Sequence, residues 1–258
     1  MIILKNERDL EGMRAAGVVA SAVLQETCAF VTPGITTKEL ENFAASRIQH
    51  YGAKSAFLGY RKYPCQVCIS VNEQIVHGLA GPRRLLFGDI VSIDVGVLYQ
   101  GFIGDTARTV AVGGCDVSDQ RLMDVTERAL DEGIAQAVPG NNVVDISRAI
   151  QTCVERHGFS VVREFVGHGV GRSMHEEPRI PNFVDGKPSP KLRPGMTLAI
   201  EPMVNAGAPE VVVLRDGWTA VSRDGSHSAH FEHTVHITES EPEILTLPAK
   251  AAVRLRAV

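Results

Sequence analysis

Apolar and small residues recur at helical spacing over residues 7–29, through Leu10, Met13, Gly17, Ala20, Val23 and Leu24. One face of a first helix is therefore set for burial, with Asn6 placed to cap it. Thr32-Pro33-Gly34 breaks the pattern, and a second helix is expected over residues 37–51, with Leu40, Phe43, Ala44 and Ile48 on one face and Gly52 as its stop. The period then changes to that of strands. Residues 68–71 read as a strand leading into a loop over 75–81 that contains His77. Residues 89–98 and 102–112 read as two strands separated by Tyr99-Gln100-Gly101. Beyond Gly113-Gly114 a helix is expected over 119–137, then strands over 161–166 and 196–200, the second ending at Glu201-Pro202. A last hairpin is expected from residues 218–222 and 229–238 across Asp224-Gly225. The proline-rich residues 181–194 read as a surface connection.

The order of these signals repeats. Pro33 and Gly34 correspond to Pro139 and Gly140, Leu40 to Ile146, Ile48 to Val154 and Gly52 to Gly158, all at one constant offset. An offset one residue larger matches Gly88, Ile93 and Asp94 to Gly195, Ile200 and Glu201. Two copies are too few for a solenoid. Two helix-helix-sheet halves, about 1–116 and 117–258, packed around a pseudo-twofold axis would instead close a single α+β domain with an active centre between them.

Composition narrows the setting. With 258 residues, 44% of them hydrophobic, the chain can bury a substantial core. A net charge of -4 gives no support for a broad nucleic-acid or membrane surface. Five cysteines without a dense framework suggest free thiols in a reducing compartment. The apolar run at residues 1–4 is too short for a signal peptide, and no stretch reaches the length of a bilayer span, so a cytoplasmic address is expected.

The candidate chemistry starts in the hairpin at residues 89–112. Alternation places Asp94 and Asp105 on one face, directly opposite if Leu98 pairs with Gly101, diagonal if Tyr99 pairs with Phe102. Facing carboxylates repel, and a cation between them removes the repulsion. His168, Glu201 and Glu232 join them at strands or strand ends, giving four carboxylates and one imidazole. That donor set suits divalent Mn, Fe, Co or Zn, and four carboxylates balance two dications. A water between two such ions is acidified toward neutrality, which favours hydrolysis. The alternative is five unrelated polar residues.

Other motifs carry less. Gly167-His168-Gly169-Val170-Gly171 would allow backbone to approach a ligand, but it is not a dinucleotide fingerprint. Cys65-Gln66-Val67-Cys68 lacks a second CxxC, and the strand signal after it argues against a redox or zinc role. His227, His230, His233 and His236 recur every third residue; on a strand His230 and His236 would share the face of Glu232 and His233 would point away, so structural hydrogen bonding is expected for most. His175-Glu176-Glu177-Pro178 is not HExxH, and a lone loop histidine is more often solvated than catalytic.

Together the stretches LGYRKYPCQVCISVNEQIVHGL, GDIVSIDVGVLYQGFIGDTARTV, FVGHGVGRSMHEEPRIPNF, LRPGMTLAIEPMV and SAHFEHTV resemble, in order and over nearly the whole chain, the bacterial type I methionine aminopeptidases, dinuclear metallopeptidases of the pita-bread fold. The resemblance implies removal of the initiator Met from nascent polypeptides whose second residue is small. It implies that Asp94, Asp105, His168, Glu201 and Glu232 hold two divalent ions (Co, Mn, Fe or Zn), that Glu201 shuttles a proton, and that His77 and His175 flank the scissile peptide. The methionine pocket would be built at Tyr60, Tyr63, Cys68, Met174 and Trp218, a soft lining suited to a thioether. Implied partners are nascent polypeptide N-termini and a transient ribosome contact, with no membrane and no specific nucleic-acid site, for a monomer. Two residues depart from the usual pattern: Met174 stands where an aromatic is usual and His230 where Gln is. A proline-directed peptidase of the same fold is the nearest enzymatic competitor, disfavoured by the lack of a large N-terminal domain. A silent pita-bread protein that binds nascent chains, ribosomes or nucleic acid is the non-enzymatic one, disfavoured because all five ligand positions are filled.

Overall fold

The structure is a computed structural model that describes residues 1–247. Helix α1 (Glu7–Phe30) starts where the pattern predicts, because Asn6 Oδ1 accepts the Asp9 N–H at 3.0 Å. Helix α2 (Thr37–His50) opens on a reciprocal capping box. Glu39 N–H donates to Thr36 Oγ1 at 3.1 Å, and Glu39 Oε2 accepts the Thr36 N–H at 2.7 Å. Helix α3 (Val117–Ile134) starts two residues before the expected position, since Asp116 is the cap, accepting the Asp119 N–H at 2.8 Å. It also ends three residues early, where turn bonds from Gln136 to Gly133 and Ala137 to Ile134 wind the chain toward Pro139. Helix α4 (Val143–Arg156) follows at the offset that the repeat predicts.

The strands are β1 (Lys54–Ser55), β2 (Cys68–Val71), β3 (Gln74–Val76), β4 (Ile90–Tyr99), β5 (Phe102–Ala111), β6 (Ser160–Val161), β7 (Gly167–Gly169) and β8 (Glu176–Ile180). They continue with β9 (Thr197–Ile200), β10 (Met203–Asn205), β11 (Val211–Val213), β12 (Ala220–Ser222), β13 (Ser228–His230), β14 (Glu232–His236) and β15 (Glu243–Ile244). A nine-stranded sheet runs β1-β4-β5-β14-β9-β7-β8, with β2 also on β4 and β15 also on β14. Two three-stranded sheets, β13-β10-β6 and β11-β12-β3, complete the described strands.

Alternation along the large sheet separates core from site. Val91, Ile93, Val95 and Val97 of β4 pack with Val23, Leu40 and Ile48 of α1 and α2 in one apolar cluster. Leu198 and Ile200 of β9 and Val235 of β14 pack with Leu130, Ile146 and Ile150 of α3 and α4 in another. Each fully buried Leu or Ile stabilises the fold by about 1.5–3 kcal/mol. The intervening positions, Asp94 on β4, Ala199 on β9 and Glu232 on β14, turn to the face away from those helices. That face carries the polar residues.

Three expectations fail. Residues 162–166 are not strand: Val162 leaves with its N–H on Met203 O, and Phe165 turns to meet His77 edge-on at 5.2 Å. The loop at 75–81 begins later, because Ile75 and Val76 belong to β3, which Gln74 sets up by accepting the Val71 N–H. The hairpin across Asp224-Gly225 does not form. Strand β12 pairs with β11 and β3, β13 pairs with β10, and the returning strand breaks at Phe231 before β14 enters the large sheet. Asp224 caps neighbouring loops instead, accepting the N–H groups of Ala208 at 2.7 Å and Ser226 at 3.0 Å.

Candidate active site

Tyr99 pairs with Phe102 across a two-residue turn, Gln100-Gly101, in which both residues have positive φ (49° and 83°). Such a turn matches the strand twist, and glycine takes the second position without strain. The register makes Asp94 and Asp105 diagonal neighbours, with Asp94 opposite Ala107 and Asp105 opposite Gly96. Ala107 in turn faces Glu232 of β14, so Asp94, Ala107 and Glu232 form one row across three strands. On the far side, His168 of β7 lies across from Ala199 of β9, and Glu201 follows directly after Ile200, which pairs with His233. Five side chains far apart in sequence therefore converge at the sheet centre.

Ligand atoms of Asp105, His168 and Glu232 lie within 4.8 Å of one another. His168 Nδ1–H donates to the Gly169 carbonyl at 2.9 Å, which leaves the Nε2 lone pair facing Glu201 Oε1 at 3.4 Å and Asp105 Oδ2 at 3.7 Å. Burial raises Asp94 to about 7 and holds Asp105, Glu201 and Glu232 well above the carboxylate range, with the neighbouring acids adding to the rise in the last three. Burial also depresses His168 to about 3. The protein thus brings buried acids together with no Lys or Arg ion-paired to them among the described residues. Asp94 Oδ1, Asp105 Oδ1 and Glu232 Oε1 are buried and find no hydrogen-bond partner among the described residues. Buried carboxylate oxygens are costly to leave unsatisfied. Oxygen-rich donors with one imidazole fit hard or borderline divalent cations, and these residues fit such a metal.

The acids form the floor of a cavity of about 140 Å³. Cys68 of β2 sits directly opposite Asp94, so the apolar wall begins one residue away from the acids. Tyr60, Tyr63, Met174 and Trp218 line the same cavity. Tyr63 donates its hydroxyl to Gly78 O at 2.9 Å and meets Trp218 edge-on at 5.0 Å. His77 follows β3 in left-handed conformation (φ 59°), wedged between Phe165 and Trp218, and burial lowers it to about 4. His175 stacks on Tyr60 with ring centroids 5.4 Å apart, shares a 2.9 Å hydrogen bond with its hydroxyl through Nδ1, and lies 4.2 Å from the His168 ring. The two histidines thus line one cavity with the acids, His77 half-buried and His175 exposed in a bend, as expected for a residue of that loop.

Sequence reasoning missed Phe57, Arg61, Val76, Phe165 and Val166 in the lining. Phe165 and Val166 precede the Gly-His-Gly stretch directly, and the assignment of 161–166 to a strand concealed them. The glycines of that stretch serve neighbouring strands and not a ligand: a Cβ would meet Ala199 O at 2.4 Å from Gly167 and Glu177 O at 2.3 Å from Gly169. The cysteines are free, Cys65 and Cys68 among them. The spaced histidines separate as alternation and the break at Phe231 require. His227 bonds Asp119, His233 bonds Thr246 and His236 bonds Glu243, while His230 lies 3.7 Å from Glu201 Oε2.

Residues 11–239 match metallopeptidase family M24. A methionine aminopeptidase 1 of Bacillus subtilis is 49% identical over 95% of this chain and 99% of its own length. One from Clostridium perfringens is 50% identical over 96% and 99%. The crystal structure of methionine aminopeptidase from Rickettsia prowazekii superposes with a TM-score of 0.94 at 40% identity, covering 96% of this chain and all of that one (100%). The chain belongs to the M24 metallopeptidases and, within that family, to the bacterial methionine aminopeptidases. No helix among the described residues is long and apolar enough to cross a membrane.

Proposed function

We propose that this protein hydrolyses the initiator methionine from nascent polypeptides with a small second residue, in the cytoplasm, as a single catalytic domain of two related halves. The observation that carries this reading is one cavity with five metal-type donors at its floor, four of them buried, and Tyr60, Tyr63, Cys68, Met174 and Trp218 in its wall. Asp94, Asp105, His168, Glu201 and Glu232 would hold two divalent ions, drawn from Mn, Fe, Co or Zn. When bound, the ions supply Lewis acidity toward the scissile carbonyl and a water acidified toward neutrality.

The chain's own groups do the rest. The soft, aromatic wall takes the methionine side chain and excludes water from it. Glu201 takes a proton at a carboxylate oxygen and returns it to the leaving nitrogen. His77, which burial lowers to about 4, and His175, exposed but also lowered by partial desolvation, donate hydrogen bonds to the substrate as negative charge develops on its carbonyl oxygen. His175 is oriented for this by its bond to Tyr60.

The test is release of Met from peptides beginning Met-Gly and Met-Leu, beside an X-Pro peptide, by protein loaded in turn with Mn, Fe, Co and Zn. Release from Met-Gly alone is expected. Failure with all four metals removes the enzymatic reading and favours a binding protein of this fold, and preferential X-Pro cleavage makes it a proline-directed peptidase.

A further inference from the structure

Lys5 lies in the segment ahead of α1, among exposed neighbours: Ile3 is 54% and Leu4 45% exposed. Its own side chain goes inward. The ammonium meets Glu176 Oε2 at 2.6 Å, and the two side chains are only 5% and 6% exposed. Both ends of the contact are fixed by further bonds. Lys5 N–H donates to Gly195 O at 2.7 Å and Nζ also to Ile3 O at 3.2 Å. Glu176 Oε1 accepts the Ser173 N–H at 3.3 Å, and Gly171 N–H donates to Ser173 O at 3.2 Å. A side chain at 171 is incompatible with the pair, since a Cβ there would lie 2.5 Å from Glu176 Oε1 and 2.8 Å from Lys5 Cε.

The loop tied down in this way, residues 171–176, carries Met174 and His175 into the cavity. A buried ion pair adds little net stability, because desolvation offsets the attraction, but it fixes position where both partners are further hydrogen-bonded. We propose that Lys5 is a positioning residue for the reaction: through Glu176 it sets the 171–176 loop so that Met174 closes on the substrate's first side chain and His175 faces its carbonyl. This rests on the aminopeptidase reading above. Nothing in the sequence pattern marks it, as Lys5 precedes the first helix and lies far from every motif in the chain.

The test compares metal-loaded wild type, Lys5→Met, Lys5→Arg, Glu176→Gln and the Lys5→Met/Glu176→Gln pair on a Met-Gly peptide, with kcat and KM separated and thermal midpoints measured. Misplacing a catalytic group by an ångström costs up to about a hundredfold in rate. Lys5→Met is therefore expected to lower kcat about tenfold or more while folded at the assay temperature, and Lys5→Arg to keep most of it. Glu176→Gln should lose a similar factor, with no further loss in the pair. Should Lys5→Met fail to fold, Lys5→Met/Glu176→Met removes both buried charges and is expected to show the same loss. A lower midpoint with unchanged kcat and KM, in either variant, overturns the inference, as do losses that multiply in the pair. Wild type inactive on Met-Gly overturns the aminopeptidase reading and this inference with it; active wild type with an unaffected Lys5→Met overturns the inference alone.

Discussion

Helices α2 and α4 both run fourteen residues, each preceded by a left-handed glycine, Gly34 or Gly140, and followed by another, Gly52 or Gly158. Isolated bridges tie the two helix starts at matching places, Thr36 to Arg84 and Asn142 to Lys191. The acids are delivered differently. In the first half Asp94 and Asp105 sit on one hairpin of two ten-residue strands, so a two-residue turn fixes their spacing locally. In the second half β10 to β13 come between Glu201 and Glu232, whose relation depends on the long-range pairing of β9 with β14. Local geometry thus sets the spacing in one part of the site, and the other bears a longer connection that brings Trp218 and β12 against His77.

The sharpest test of that asymmetry exchanges charge at corresponding positions. Glu201→Gln should lower kcat by about 10³-fold if, as proposed, its carboxylate moves a proton as well as holding metal. Asp94→Asn should act mainly through weaker metal binding, read by calorimetry. Identical losses of metal affinity and turnover in both would make the two positions equivalent. A smaller effect compares the two cores. Ile93→Ala and Ile200→Ala remove corresponding, fully buried side chains, and each should cost about 2–5 kcal/mol in urea unfolding. A cost below about 1 kcal/mol at either site would show that half to be loosely filled.

The smallest effect concerns the tie between halves. Glu243 accepts hydrogen bonds from His236 and from Arg14 of α1, and these lower it from its ordinary 4.5 to about 2. A depressed carboxylate stabilises the fold above its unfolded pKa and loses that contribution as pH falls toward the folded value. The thermal midpoint should therefore drop between pH 4.5 and 2 more in wild type than in Glu243→Gln. Parallel curves would show that the bridge contributes nothing.

The repeat and the alternation of Asp94 and Asp105 were legible because helix period, glycine stops and strand parity are local signals. All five metal-type positions and the pocket residues Tyr60, Tyr63, Cys68, Met174 and Trp218 could be named from motifs. What the sequence concealed was decided at long range. Asp224-Gly225 carries the chemistry of a hairpin turn, yet β13 finds its partner in β10, and no local residue reports that choice. Phe165 reads as strand, but its ring is taken by His77. The register of Asp94 and Asp105 required coordinates, since both pairings satisfy parity.

Trp218 is the chain's only tryptophan, and it stands in the cavity wall against Tyr63 and His77. The intrinsic indole emission of the whole protein therefore arises at one place, the wall that would receive the substrate side chain. Filling or emptying that pocket alters the polarity around the ring and changes the emission without any label. Occupancy can thus be followed by light alone, in metal-free protein as in metal-loaded protein, and separated from turnover.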